Sequence, residues 1–231
     1  MSTLHEVKRA VRSLSPGERT ELLDWMAVNL NVGLFVNEPP MTYGAVALEH
    51  DFYTIEQYLE LEDGTTLAFE YVAGQIYAMA DPSGSHGTIV ENLYSQLLMH
   101  LRGQPCRVRL ASNRVLFKCR GDDIVYRPDV WVGCAERRNE KGELVEEPRL
   151  VMEVLSPSTA RIDTREKAIN YREIPSLDEI VLVAQKVAQV TIYRRAEAWQ
   201  RTVLGSPEDV LELRSIGLSL PVAEIYEGAA R

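Results

Sequence analysis

The sequence predicts a mixed α/β core behind a helical N-terminal segment, and three observations lead there. From Met41 onward, short runs of β-branched and aromatic residues alternate with stretches of helical spacing. Residues 1–40 instead carry helical spacing and close on Asn37-Glu38-Pro39-Pro40, which the paired prolines make extended. The 231 residues, 45% of them hydrophobic and 26% charged, suffice to bury a full core without disulfides or a structural metal. The expected division is a helical appendage over 1–40 and a core domain over 41–231.

Leu4, Val7, Val11 and Leu14 form one helical stripe. Ser15-Pro16-Gly17-Glu18 then combines an N-cap, a proline at the first helical position and an acid two residues later, so a second helix should bury Leu22, Leu23, Met26, Ala27 and Leu30. In the core, Thr54 caps a short helix over 54–59. Thr66–Tyr71 and Gln75–Met79 read as strands of a hairpin turning at Gly74. After a loop at Asp81–Ser85, Ile89, Leu93, Leu97 and Leu101 recur every fourth residue and predict a helix over 86–102. Strands are expected at 107–117, 124–132 and 150–155. Ser156-Pro157-Ser158-Thr159 should cap a helix reaching about Glu173. A strand at 179–183 and a hairpin from 187–193 to 199–204 follow.

Charge and cysteine content narrow the function. With 25 Lys+Arg against 34 Asp+Glu, the net charge is −9, which disfavours a protein that coats nucleic acid by bulk charge. An enzyme with basic residues in one groove is still allowed. Cys106, Cys119 and Cys134 form no CxxC or CxxH pair, so neither a disulfide framework nor a thiolate zinc site is expected. The N-terminus lacks the order of a secretory signal, and no apolar run approaches the roughly 18 residues that span a bilayer. The expectation is a soluble, cytoplasmic protein without membrane association.

Glu153 is the most informative residue, since it interrupts the otherwise apolar Leu150-Val151-Met152-Glu153-Val154-Leu155. An ionised carboxylate there needs a cation or donors to offset its desolvation, so it is either a structural ion pair or a functional group. Asp129 opens the apolar run Val130-Trp131-Val132 directly after Pro128; a turn residue and a site residue both fit this context. Facing carboxylates on neighbouring strands could share a divalent ion, and Mg2+ needs only one or two such ligands beside water and phosphate oxygens. Asp163, Lys167 and Tyr171 share one helical face, so Lys167 either pairs with Asp163 on the surface or reaches the end of the Glu153 strand. His86 stands at a helix start, where it could orient a carboxylate or phosphate or be a partly exposed polar residue. Neither a phosphate-loop spacing nor a Gly-x-Ser-x-Gly elbow occurs.

Taken together, Phe69-Glu70-Tyr71-x-x-Gly74-Gln75-Ile76, Ser85-His86, Arg127-Pro128-Asp129-Val130, Val151-Met152-Glu153-Val154-Leu155-Ser156-Pro157-Ser158-Thr159 and Asp163-x-x-x-Lys167-x-x-x-Tyr171 resemble the Uma-type (Uma-two) endonuclease family of the PD-(D/E)XK nuclease superfamily. The resemblance runs from about Thr54 to Tyr226. It implies a restriction-endonuclease-like fold, a mixed central β-sheet flanked by helices, with a Mg2+-dependent phosphodiesterase site for which Mn2+ can substitute. Asp129 and Glu153 match the two metal-binding acids. Position 155 is Leu where the superfamily has its lysine, and Lys167 matches the lysine that this family relocates to the following helix. Glu70 matches the acid of the first strand, and His86 a family histidine; Asp163 and Tyr171 complete the matched motif as substrate or supporting groups. Where the family often reads Tyr-Trp-Leu-Val-Asp, this chain has Ile180-Val181-Leu182-Val183-Ala184. The segment Leu14–Leu23 resembles short antitoxin-like helices of addiction modules.

The resemblance implies a homodimeric endonuclease acting on DNA. The rival is a non-catalytic regulatory or binding protein on a nuclease fold, linked to a toxin–antitoxin system. Retention of Glu70, Asp129, Glu153 and Lys167 weighs against it.

Overall fold

The structure, a computed structural model, describes residues 52–63, 68–79, 84–138, 144–155 and 166–229. The expected N-terminal helices, the start of the loop at Asp81, the Ser156–Thr159 cap and Asp163 lie outside these residues.

Helix α1 (Ile55–Asp63) begins with a reciprocal cap: the Thr54 N–H donates to Gln57 Oε1 at 2.8 Å, and the Gln57 N–H to Thr54 Oγ1 at 3.2 Å. Strands β1 (Phe69–Val72) and β2 (Gln75–Ala78) form the expected antiparallel hairpin. Its turn places Ala73 at φ 50° and Gly74 at φ 99°, the double left-handed geometry of a tight hairpin. A Cβ on Gly74 would also lie 2.8 Å from the Phe52 ring, so glycine is required twice over. Helix α2 (Gly84–His100) starts two residues earlier than its apolar spacing indicated and buries Ile89, Leu93 and Leu97.

Two expected strands are each two strands. The run 107–117 divides into β3 (Arg107–Leu110) and β4 (Val115–Cys119) around a turn at 111–114. The run 124–132 divides into β5 (Asp122–Tyr126) and β6 (Val130–Arg138), because Pro128 has no N–H for a ladder. Both breaks carry the chain from one sheet to another. β1, β2, β4 and β5 make a four-stranded sheet in the order β2-β1-β5-β4, whereas β3 and β6 join a six-stranded sheet. That sheet also contains β7 (Leu144–Leu155), β8 (Glu179–Ala184), β9 (Val190–Arg194) and β10 (Arg201–Leu204), in the order β10-β9-β8-β7-β6-β3. β7 and β8 run parallel and the other neighbours antiparallel, which makes the sheet mixed as expected.

Strand periodicity assigns the faces of β7. Leu150, Met152 and Val154 pack with α2, whereas Val151 packs with Trp131, Phe117, Tyr126 and Tyr171 on the opposite face. Glu153 has the parity of Val151 and so points into that second layer. The short helix α3 (Ala168–Tyr171) supplies Tyr171 to it. The hairpin β11 (Val210–Leu213) and β12 (Leu218–Pro221), with helix α4 (Val222–Ile225), extends the α2 layer; sequence reading assigned no element to these residues.

The cysteine reading is corrected. Cys106 and Cys134 form a disulfide across 28 residues of sequence, while Cys119 is buried and takes no part in it. Arg107 pairs with Gly133 in the β3–β6 ladder, so the next rung sets the two cysteines opposite each other. Sequence spacing carries no trace of that register. Among the described residues, no helix is long and apolar enough to cross a membrane.

Candidate active site

Asp129 stands where the chain leaves β5 and enters β6, with Pro128 holding the backbone extended. Val130 pairs with Met152, so one rung further on Asp129 faces Glu153. Residues opposite each other on antiparallel strands project to the same face. The Asp129 N–H approaches Glu153 Oε2 at 3.4 Å, a long contact. In return the Val154 N–H donates to Asp129 Oδ2 at 2.7 Å. His86, in the first turn of α2, places Nε2 3.0 Å from Asp129 Oδ1. The two acids are thus held in place by the strands and by α2.

Glu70 arrives from the other sheet. Its Oε1 accepts the Arg127 N–H at 2.9 Å and the Lys167 Nζ at 2.8 Å. Lys167 Nζ also lies 3.5 Å from Glu153 Oε1 and 5.4 Å from the centre of the Tyr126 ring. The Tyr171 hydroxyl donates to Glu153 Oε1 at 2.7 Å. Lys167 is therefore not a surface residue: its side chain is 9% exposed and connects two carboxylates from different strands. Burial raises the Tyr171 phenol well above its usual value, and the charges of Glu153 and Glu70 raise it further. Burial also raises Tyr126, against a lowering hydrogen bond from Asn170. Both phenols stay protonated at neutral pH, so Tyr171 is a permanent donor to Glu153.

Six sequence-selected residues converge here: Glu70, His86, Asp129, Glu153, Lys167 and Tyr171. Sequence reasoning missed the side chain of Arg127, which binds Glu62 of α1 through two nitrogens, Nη2 at 2.6 Å and Nε at 3.1 Å. It also missed Gln185, whose Nε2 donates to Ser85 Oγ at 2.7 Å beside His86. Arg127 stands inside the matched Arg127-Pro128-Asp129-Val130 stretch, whereas Gln185 offered only its nearness to Ile180–Ala184.

Among the described residues, no three His, Cys, Asp or Glu side chains gather as a cluster able to hold an ion by themselves. The donors present are two hard carboxylates on one face, each oriented by N–H or O–H groups, with the Asp129 side chain 15% and the Glu153 side chain 4% exposed. That set fits Mg2+ or Mn2+, which take one or two carboxylates and complete their shell with water and substrate oxygens. It does not fit a soft thiolate metal.

A mixed sheet flanked by helices, with buried acids and a lysine at the junction of two sheets, defines a nuclease-type α/β core. A crystal structure described as "a putative nuclease belonging to DUF820" from Anabaena variabilis shares this fold, with TM-score 0.63 and 22% identity over 76% of this chain and 98% of that one. The family model described as "Uma2: Putative restriction endonuclease" matches residues 55–223, and the chain belongs to this family. It is also similar to the uncharacterized protein slr1290 of Synechocystis sp., 34% identical over 76% of this chain and 92% of the relative. The uncharacterized protein sll1609 of the same organism is 30% identical over 62% of this chain and 80% of its own length.

Proposed function

We propose that this protein is a metal-dependent endonuclease that hydrolyses DNA phosphodiester bonds at the junction of its two sheets. The observation that carries the reading is that Glu70 and Glu153 meet one buried lysine, Lys167, while Asp129 stands directly opposite Glu153. Asp129 and Glu153 are two hard carboxylates on one face, the donor set that a divalent cation takes beside water and substrate oxygens.

Asp129 and Glu153 would hold the metal. When bound there, Mg2+ would supply Lewis-acid polarisation of the scissile phosphate and would lower the pKa of a coordinated water. The protein's own groups prepare that chemistry. Val154 N–H and His86 orient the Asp129 carboxylate, and Tyr171 holds Glu153 Oε1. Lys167 provides a fixed positive charge where negative charge grows on the attacked phosphate, and its ammonium can orient the attacking water. Glu70 holds Lys167 in place through Oε1 and could contact the metal through a water. A homodimer would present two such sites to the two strands of a duplex.

Incubating supercoiled plasmid with the full-length protein in Mg2+, Mn2+ and EDTA tests the reading. Nicking or linearisation in either metal, abolished by EDTA and by Asp129→Asn, is expected. A wild-type chain that neither cleaves DNA nor binds Mn2+ would leave the non-catalytic nuclease-fold protein as the answer.

A further inference from the structure

We propose that Arg127 is a positioning residue whose guanidinium clamps two of the chain crossovers between the four- and six-stranded sheets, and so sets where Glu70 lies relative to Asp129 and Glu153. The proposal rests on the endonuclease reading for its activity readout, but not for its second test.

The acids of the site come from separate sheets: Glu70 from β1 in the four-stranded sheet, Asp129 and Glu153 from the β6–β7 ladder in the six-stranded one. No strand ladder among the described residues joins these sheets. The chain passes between them through α2, again at the β3–β4 turn, and a third time at Arg127-Pro128-Asp129. Arg127 occupies the third crossover and bonds the second. Its Nη1 donates to the carbonyls of Ala111 at 2.9 Å and Ser112 at 3.0 Å. Its Nε also donates to the carbonyl of Phe69, next to Glu70, at 3.2 Å. Glu62 anchors the assembly from α1 with a side chain 4% exposed, and its Oε2 also accepts Arg114 Nη1 at 2.7 Å. Finally, the Arg127 N–H is itself a donor to Glu70 Oε1.

One side chain therefore fixes a helix, a strand and a turn around the segment that delivers Asp129. The rigid fork of a guanidinium can serve partners in several directions at once; an ammonium on the same site would reach Glu62 and lose the rest. The remaining supports of Asp129 and Glu153 — Val154 N–H, His86 and Tyr171 — do not pass through Arg127. Disturbing the clamp should thus move Glu70 and Lys167 against an intact acid pair.

Arg127→Lys separates this role from general destabilisation. Mn2+ affinity, measured calorimetrically on the full-length protein, should stay within about twofold, while kcat falls about tenfold or more with KM little changed, as displacement of a positioned group by about 1 Å can cost up to a hundredfold. Leu97→Ala, in the α2 core, should lower Tm at least as much yet keep kcat near wild type below its transition. Glu62→Gln should shift kcat in the same direction by less, because the amide oxygen still accepts from Arg127. The second test needs no cleavage: the Tm loss of the Arg127→Lys/Glu70→Gln double variant should be smaller than the sum of the single losses. Unchanged kcat in Arg127→Lys, or a loss of kcat matched by Leu97→Ala, overturns the proposal; so do additive Tm losses. An inactive wild type with non-additive Tm losses would remove the nuclease reading and leave the clamp standing.

Discussion

Glu153 and Glu179 both occupy apolar strands of the six-stranded sheet, at 3% and 2% exposure, yet their partners differ. Glu179 Oε1 accepts Arg194 Nε at 3.1 Å and the Arg214 N–H at 3.1 Å, while Oε2 accepts the Ser215 N–H at 2.9 Å and the Ser215 hydroxyl. One carboxylate meets one guanidinium and a set of fixed dipoles, and the charge closes. Around Glu153, Lys167 is shared with Glu70, and Asp129 stands one rung opposite. A closed pair of the Glu179 kind holds strands together, whereas the acids gathered beside Lys167 are the ones proposed to take a further cation. Burial of an acid in an apolar strand therefore does not distinguish structure from chemistry; the kind of partners it meets does.

The sharpest break in that comparison comes from removing each charge in turn. Glu153→Gln should abolish cleavage and Mn2+ binding while leaving Tm equal or higher, because a costly carboxylate is gone and its volume is kept. Glu179→Ala should do the opposite: it removes the buried carboxylate from Arg194, which keeps Glu197 at 3.3 Å and the Glu212 carbonyl at 2.8 Å, and lowers stability by about 3 kcal/mol, with Mn2+ affinity unchanged. Wild-type Mn2+ binding by Glu153→Gln in calorimetry would remove Glu153 from the ligand set.

Lys167→Met probes how far the ammonium substitutes for a metal. Plasmid cleavage should fall to a small residue while Mn2+ binding persists, because an ammonium cannot itself be a metal ligand. Without metal the variant should lose about 3–5 kcal/mol in denaturant unfolding, the usual cost of a broken buried pair. Mn2+ should restore part of that loss by mass action. Lys167→Arg should retain more activity than Lys167→Met. An active Lys167→Met protein would reduce this lysine to a structural counter-ion.

A smaller effect belongs to Tyr171, whose hydroxyl bonds Glu153 Oε1. Tyr171→Phe should cost about 1.5–3 kcal/mol, the range for a hydrogen bond to a charged group. Cleavage should fall far less than in Lys167→Met. If the two variants lose cleavage equally, Tyr171 acts on substrate and not only on Glu153.

The smallest effect is a pH dependence that the clamp predicts. Burial pushes the Glu62 carboxyl up, but hydrogen bonds and charge from Arg127, with Tyr58 and Arg114, outweigh it and hold the group below its ordinary 4.5. The unfolded chain then takes up the proton first as pH falls. Stability from Glu62 is fully present above about pH 4.5, and is lost as pH drops through the lower folded value. Urea midpoints of wild type and Glu62→Gln across this window should converge toward the acid end.

Local physics made several elements legible before any coordinates. Thr54 and Gln57 form the cap their spacing allows, Gly74 turns the hairpin, and the fourfold apolar spacing from Ile89 marks α2. Each is decided by groups a few residues apart. The runs 107–117 and 124–132 each divide in two because the short breaks at 111–114 and at Pro128, though flanked by strand-forming residues, also change the sheet; sheet membership is set by pairing between distant segments. The same blindness hid the Cys106–Cys134 bond, which depends on register alone.

By itself the sequence singled out residues that meet at the candidate site, because an acid within Val151–Leu155 and a lysine spaced four residues before Tyr171 are properties of short segments. Only the tertiary structure decided how they are joined. Lys167 lies 97 residues from Glu70, and the bond between them requires two sheets to meet. Arg127, the residue at that meeting, stands in a matched stretch of sequence that says nothing of its side-chain partners. Its five side-chain hydrogen bonds end on residues 15 to 65 positions away, so folding alone brings them into reach.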